Sequence, residues 1–256
     1  MKKLIYGTVF LAIVGIGLVA CKKDTVSAEN ERQTKTKELL TEAKSFSKEH
    51  NENVMKVLDG YEISMFNVNS MNETQAFCDI VNNELGTKAY ISTEVNNTYS
   101  IINFEDETLK LADYFTDKQA KLYLSKIDEL LFITEEDNLD KLISGINKVE
   151  NEMVSDESVS IESLESALNA IETLKGSLVL WSKYFNNQMI TKGICDWKRW
   201  QKILFVAAAD AVGAITGSFG VSITINGIPI VVPPGFVGAA VSAALVSLFA
   251  TIFVAC

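Results

Sequence analysis

From Ile203 to Cys256 the chain carries one charged side chain, Asp210. No other feature restricts its fold as strongly. An apolar area of that size cannot be left in water, so it must face lipid, another protein or the rest of this chain. The preceding part has the opposite character. Residues 21–202 hold 21 Lys and Arg against 32 Asp and Glu, a net of −11. A surface that acidic has no electrostatic footprint for nucleic acid, which excludes that class of partner.

The apolar part has internal order. Its first stretch, Ile203 to Phe219, is followed by two β-branched runs between Val221 and Val232. These flank Asn226-Gly227, a strong hairpin signal, and Pro229 is expected on a sheet edge. Pro233-Pro234-Gly235 then interrupts the chain before the uncharged stretch Phe236–Ala255. Ala209, Gly213 and Gly217 recur every fourth residue, as do Ala239, Ala243, Ser247 and Thr251. That spacing lets two helix backbones approach closely, which makes these residues candidates for helix packing. Phe236–Ala255 as a helix would measure about 30 Å, the thickness of a hydrocarbon core. Trp197 and Trp200 beside Lys198, Arg199 and Lys202 look like an interfacial belt. With Phe236, Phe249 and Phe253 they are the candidates for membrane contact. Asp210 opposes insertion, at about 2.5–3.5 kcal/mol. The alternative is a helical hairpin clasped by the rest of the protein, in which Asp210 needs a buried hydrogen-bond partner. The belt tips the expectation towards lipid.

Helical periodicity dominates the acidic part. Leu39, Ala43, Phe46, Val54, Val57 and Tyr61 form one stripe, and His50 falls on it. A short helix is expected from Asn72 to Leu85, stopped by Gly86. Ala89 to Phe104 fits either a short hairpin or a long loop around Asn96-Asn97. Thr116 and Gln119 read as a capping box for a helix through Leu131. Further helices are expected from Glu135, with Leu139 to Met153 on one face, and from Ser158, with Ile161 to Phe185 in 3/4 spacing. Lys22 to Asn30 is polar without periodicity and reads as a tether.

Little in this chain has the pattern of catalysis. His50 is the single His, and it lies on a charged helix with no Ser or Cys elbow near it, so it reads as a partly buried side chain with a hydrogen-bond partner. Ser45-Phe46-Ser47-Lys48 matches SxxK without the accompanying motifs and reads as helix surface. Glu135-Glu136-Asp137 suits a helix N-terminus. No spacing of metal ligands, cradle for phosphates or cofactor fingerprint is present, so no metal and no cofactor are expected. Of the four Cys, Cys78 and Cys195 could form a disulfide if their Cα atoms lie within about 7 Å; buried free thiols are the alternative.

At the N-terminus, Lys2 and Lys3 precede an uncharged run from Leu4 to Val19, the layout of a secretory signal. Leu18-Val19-Ala20-Cys21 resembles the lipobox of bacterial lipoproteins. The resemblance implies removal of residues 1–20 and attachment of membrane lipid to Cys21. Cys21-Lys22-Lys23-Asp24 looks like the start of outer-membrane lipoproteins from one Gram-negative phylum, and Asp24-Thr25-Val26 fits a short O-glycosylation pattern found there. The C-terminal hairpin is similar in composition and period to the hydrophobic hairpins of pore-forming colicins and some small bacteriocins.

The expected architecture is mainly α. It comprises a signal (1–20), a tether (21–30), an acidic helical bundle (31–196) and an apolar helix–β-hairpin–helix unit (197–256). The expected function is that of a lipid-anchored envelope protein, in the outer membrane, with a non-catalytic binding or structural role and an envelope protein as partner. The alternative is a membrane-active, bacteriocin-like toxin that uses the hairpin.

Overall fold

The long 3/4 apolar repeat beginning at Ile161 becomes a helix that packs against several others. The computed structural model describes residues 2–61, 70–93, 99–104, 108–133, 138–187, 197–217, 219–233 and 239–255, without the side chains of 2–29, 187 and 255. In chain order the elements are α1 (Lys2–Gly60), α2 (Met71–Leu85), β1 (Tyr90–Ile91), β2 (Ser100–Asn103), a 3-10 turn (Leu111–Tyr114), α3 (Lys118–Ile133), α4 (Leu139–Ser155), α5 (Ile161–Asn187), α6 (Arg199–Thr216), β3 (Val221–Ile225), β4 (Ile228–Val232) and α7 (Ala239–Ala255). The fold is mainly α. It divides into two compact units, residues 1–39 and residues 40–256.

The first unit is the N-terminal part of α1. Residues 21–30, expected to be an irregular tether, belong to this helix. They contain neither Pro nor Gly, and extending an existing helix is far cheaper than nucleating one.

In the second unit, α5 packs on α4 and α6, and α6 packs on α7. The helix starts differ from expectation by a residue or more. α3 is capped by Asp117, whose Oδ1 accepts from the Ala120 N–H at 2.8 Å, in place of Thr116. α4 is capped by Asn138, which accepts from the Lys141 N–H at 3.1 Å, and Glu135-Glu136-Asp137 lies outside the described residues. α2 ends at Gly86, as its φ of 68° requires of a residue without Cβ. α7 begins at Ala239, and Phe236 lies outside the described residues.

The sheet unites two distant stretches in the order β1-β4-β3-β2. β3 and β4 form the Asn-Gly hairpin, with φ of 49° at Asn226 and 75° at Gly227, the positive pair that such a turn demands. β2 adds in parallel to β3, Ser100 opposite Val221, and β1 adds antiparallel to β4, Tyr90 opposite Val231. Ala89–Phe104 is therefore no hairpin of its own: its two strands flank the C-terminal one. Pro229 is consequently on an inner strand. Beside a two-residue turn Ile225 and Ile228 form the hydrogen-bonded pair, so Pro229 opposite Thr224 occupies the non-bonded position and the β3–β4 ladder needs no N–H from it. On its other side the Pro229 carbonyl accepts from the Ser92 N–H at 2.9 Å.

Candidate functional site

Two isolated polar residues on otherwise apolar faces meet in the core. His50 projects from α1 and Asp210 from the middle of α6; both are 0% exposed. His50 Nε2 lies 3.2 Å from Asp210 Oδ2. Trp181 of α5 donates its indole N–H to the same Oδ2 at 2.9 Å, and Ser177 Oγ, one turn earlier on α5, lies 3.2 Å from His50 Nε2. Asp210 Oδ1 and His50 Nδ1 have no partner among the described residues. One polar cluster thus joins α1, α5 and α6.

The residue types invite comparison with a hydrolytic triad, and the geometry rejects it. In a triad the carboxylate and the nucleophile occupy opposite ring nitrogens. Here Ser177 and Asp210 both face Nε2. Ser177, like its partners, is 0% exposed and meets no solvent. The cluster can tie helices together; it is not placed to reach a substrate.

Neighbouring contacts bring α1 and α5 close. Ser47 Oγ donates to the Glu172 carbonyl at 2.8 Å, and a Cβ at Gly176 would lie 2.4 Å from Ser47 Oγ. Ser45 and Lys48, the ends of the SxxK match, are exposed helix surface. Two further polar groups are built into the core. Lys175 Nζ joins Glu150 at 2.7 Å, Glu172 at 2.9 Å and Asn147 at 3.0 Å between α4 and α5. Burial holds the Glu150 carboxyl above its ordinary range, against the pull of Lys175. Asp128 of α3 accepts from the N–H groups of Leu111 at 2.8 Å and Ala112 at 3.0 Å, so it caps the 3-10 turn. Burial pushes its carboxyl up to about 6, although those two hydrogen bonds act to lower it.

The membrane-contact candidates divide. Trp200, Lys202, Phe249 and Phe253 are buried in the protein. Trp197, half-buried, packs edge-on against Phe205 at 5.2 Å. Phe205 in turn contacts Phe253 at 5.7 Å and Phe104 at 5.7 Å. Phe249 meets Phe77 of α2 at 5.2 Å. Lys198 and Arg199 are exposed. The aromatic residues at the start of α6 therefore have a reason within the fold: Trp200 is buried and Trp197 packs on Phe205. Among the described residues no helix is long and apolar enough to cross a membrane.

The small residues line the α6–α7 contact. A Cβ on Gly213 would come within 2.8 Å of the Ala243 Cα, and one on Gly217 within 2.7 Å of Ser242 Cβ and 3.2 Å of the Ala239 Cα. Ala209, Ala243 and Ser247 are fully buried and Ala239 is half-buried.

Cys78 is a free, buried thiol, pushed up to about 12 by burial and then by the charge of Asp79. The disulfide considered for it is thus not formed; Cys195 lies outside the described residues. The side chain of Cys21 is likewise outside them. The individual partners Trp181 and Ser177 had no signal of their own, since Trp181 continues an apolar stripe. The pairing did have one: a lone Asp in an apolar segment and a lone His on an apolar stripe must each find a polar partner. No family model, no curated protein and no solved structure matches this chain.

Proposed function

We propose that the protein is a lipid-anchored component of a bacterial envelope, held in the outer membrane through Cys21, with a non-catalytic binding or structural role towards another envelope protein. The observation that carries this reading is the sequence Leu18-Val19-Ala20-Cys21 after a basic start and an apolar run. The folded unit supports a displayed domain over a membrane-inserting one. Its apolar hairpin serves as core: α6 and α7 are sequestered against the bundle, their small residues form a protein–protein seam, and Asp210 has partners there. The polar cluster most reminiscent of catalysis is sealed from solvent, which supports a role without chemistry.

Mass spectrometry of the mature N-terminus tests the anchor. The expected result is a Cys21 N-terminus bearing two or more acyl chains, since one chain holds a protein only marginally. Cys21→Ala should release the protein from the membrane fraction. An unmodified residue 21 in the mature protein, or undiminished membrane retention of a processed Cys21→Ala variant, overturns the reading.

A further inference from the structure

We propose that Asp210 is a retention latch, the side chain within the α6–α7 pair that favours the protein interior over the lipid beside which the chain is held. The setting rests on the proposed lipid anchorage; the latch itself rests on the geometry of the core.

Asp210 is the only charged side chain between Ile203 and Cys256. Around it α6 is buried on every side from Phe205 to Thr216, and α7 is buried from Ser242 to Val254. A helix apolar all round gains as much from lipid as from a protein core, so hydrophobicity alone does not choose between them. Asp210 does choose. In the protein its Oδ2 has Trp181 and His50 within 3.2 Å, on two helices other than its own. In lipid it would keep neither, and an ionisable side chain at mid-helix is among the costliest to insert. A well-packed apolar residue at such a buried site is often neutral or better for stability. Core stability therefore gives a weak reason for an acid at 210; retention supplies a specific one. The sheet adds a second tie at the hairpin tip, where β2 and β1 flank β3 and β4. That tie is the same in every variant considered below.

The test uses the full chain reconstituted in phosphatidylethanolamine–phosphatidylglycerol vesicles with an apolar photolabel confined to the bilayer. Labelled peptides are located by mass spectrometry, and the N-terminal peptide of the same sample reports on the anchor. In wild type, residues 203–256 should be unlabelled. Asp210→Leu should raise labelling of α6 and α7 by up to about a hundredfold, the ratio implied by removing an acid from mid-helix. Asp210→Asn, nearly isosteric and able to accept from Trp181, should label above wild type and below Asp210→Leu. His50→Ala keeps the acid and should stay at the wild-type level although its melting temperature falls. Wild-type labelling of the hairpin overturns the proposal. So does wild-type protection in both Asp210 variants, or His50→Ala labelling that matches Asp210→Leu, which would assign the effect to lost stability. An unacylated N-terminus with these labelling patterns intact would defeat the anchorage and leave the latch standing.

Discussion

At the scale of single residues, the fold depends on polar groups whose partners lie far away in sequence. Replacing His50 by Ala leaves Asp210 with Trp181 alone and removes the contact of Ser177. A loss of about 1–3 kcal/mol is expected from the unpartnered group. Replacing Asp210 by Ala should cost a similar amount, whereas the double variant His50→Ala/Asp210→Ala should cost less than the sum of the single changes, because neither His50 nor Asp210 is then left facing the other's absence. Urea denaturation of the four proteins measures this coupling. Additive losses would show that the two residues do not act together. Asp128 gives a prediction in pH. Its folded value of about 6 exceeds the ordinary 3.8, so the folded state binds a proton that the unfolded chain has released. Its contribution is fully present below about pH 4 and is lost as pH rises through 6, by about 2–3 kcal/mol. Between pH 4 and 7 the wild type should therefore lose stability relative to Asp128→Asn. A carboxyl-carbon NMR titration of Asp128 with a midpoint near 4 would contradict this.

At the scale of elements, the α6–α7 pair shows how small residues set a distance between helices. Gly213 faces a backbone atom, the Ala243 Cα, which cannot swing aside as a flexible side chain can. Gly213→Ala must part the helices, with an expected loss of about 1–3 kcal/mol. Gly60→Ala, where a Cβ meets nothing within 4 Å, should be neutral or mildly stabilising, because Ala is the better helix former. Thermal melts of both variants check the contrast. Equal shifts would mean that the seam does not govern the packing. The strands have a related dependence. β1 has two residues and β2 four, too short to persist alone, and they exist because the β3–β4 hairpin offers them two edges.

At the scale of the whole molecule, the apolar C-terminal part and the acidic helices form a single compact unit from Leu40 to Cys256. Truncation after Gln201 would remove most of α6 with β3, β4 and α7. It would expose the face of α5 that carries Trp181, the Phe77 contact of α2 and the inner edges of β1 and β2. The expected product is an aggregating or molten fragment with strong binding of a hydrophobic dye. A monomeric, cooperatively melting 21–201 fragment would show that the bundle has a core of its own. Cys78, central and buried, should be inert to thiol reagents in the native full chain and react only on unfolding.

Much of the local structure was legible in the residues themselves. Periodicity in α5, the Gly86 stop and the Asn226-Gly227 turn follow from backbone preferences acting over a few residues, and such preferences survive in any context. Single-residue caps were less legible, because Thr116 and Asp117 are both good caps and only the path of the chain decides between them. The sequence also determined that Asp210 would need a partner if buried, and that the segment around it could not stay in water. It did not determine which surface would cover that segment. Lipid and a protein core present the same apolar environment to a helix, so composition cannot tell them apart. Tertiary structure decided it, by bringing Trp181 and His50 to one carboxyl oxygen and by setting Gly213 against Ala243. The strands at Tyr90 and Ser100 were decided in the same way, since a strand of two to four residues is specified by the edge it joins and that edge lies more than a hundred residues away in the chain.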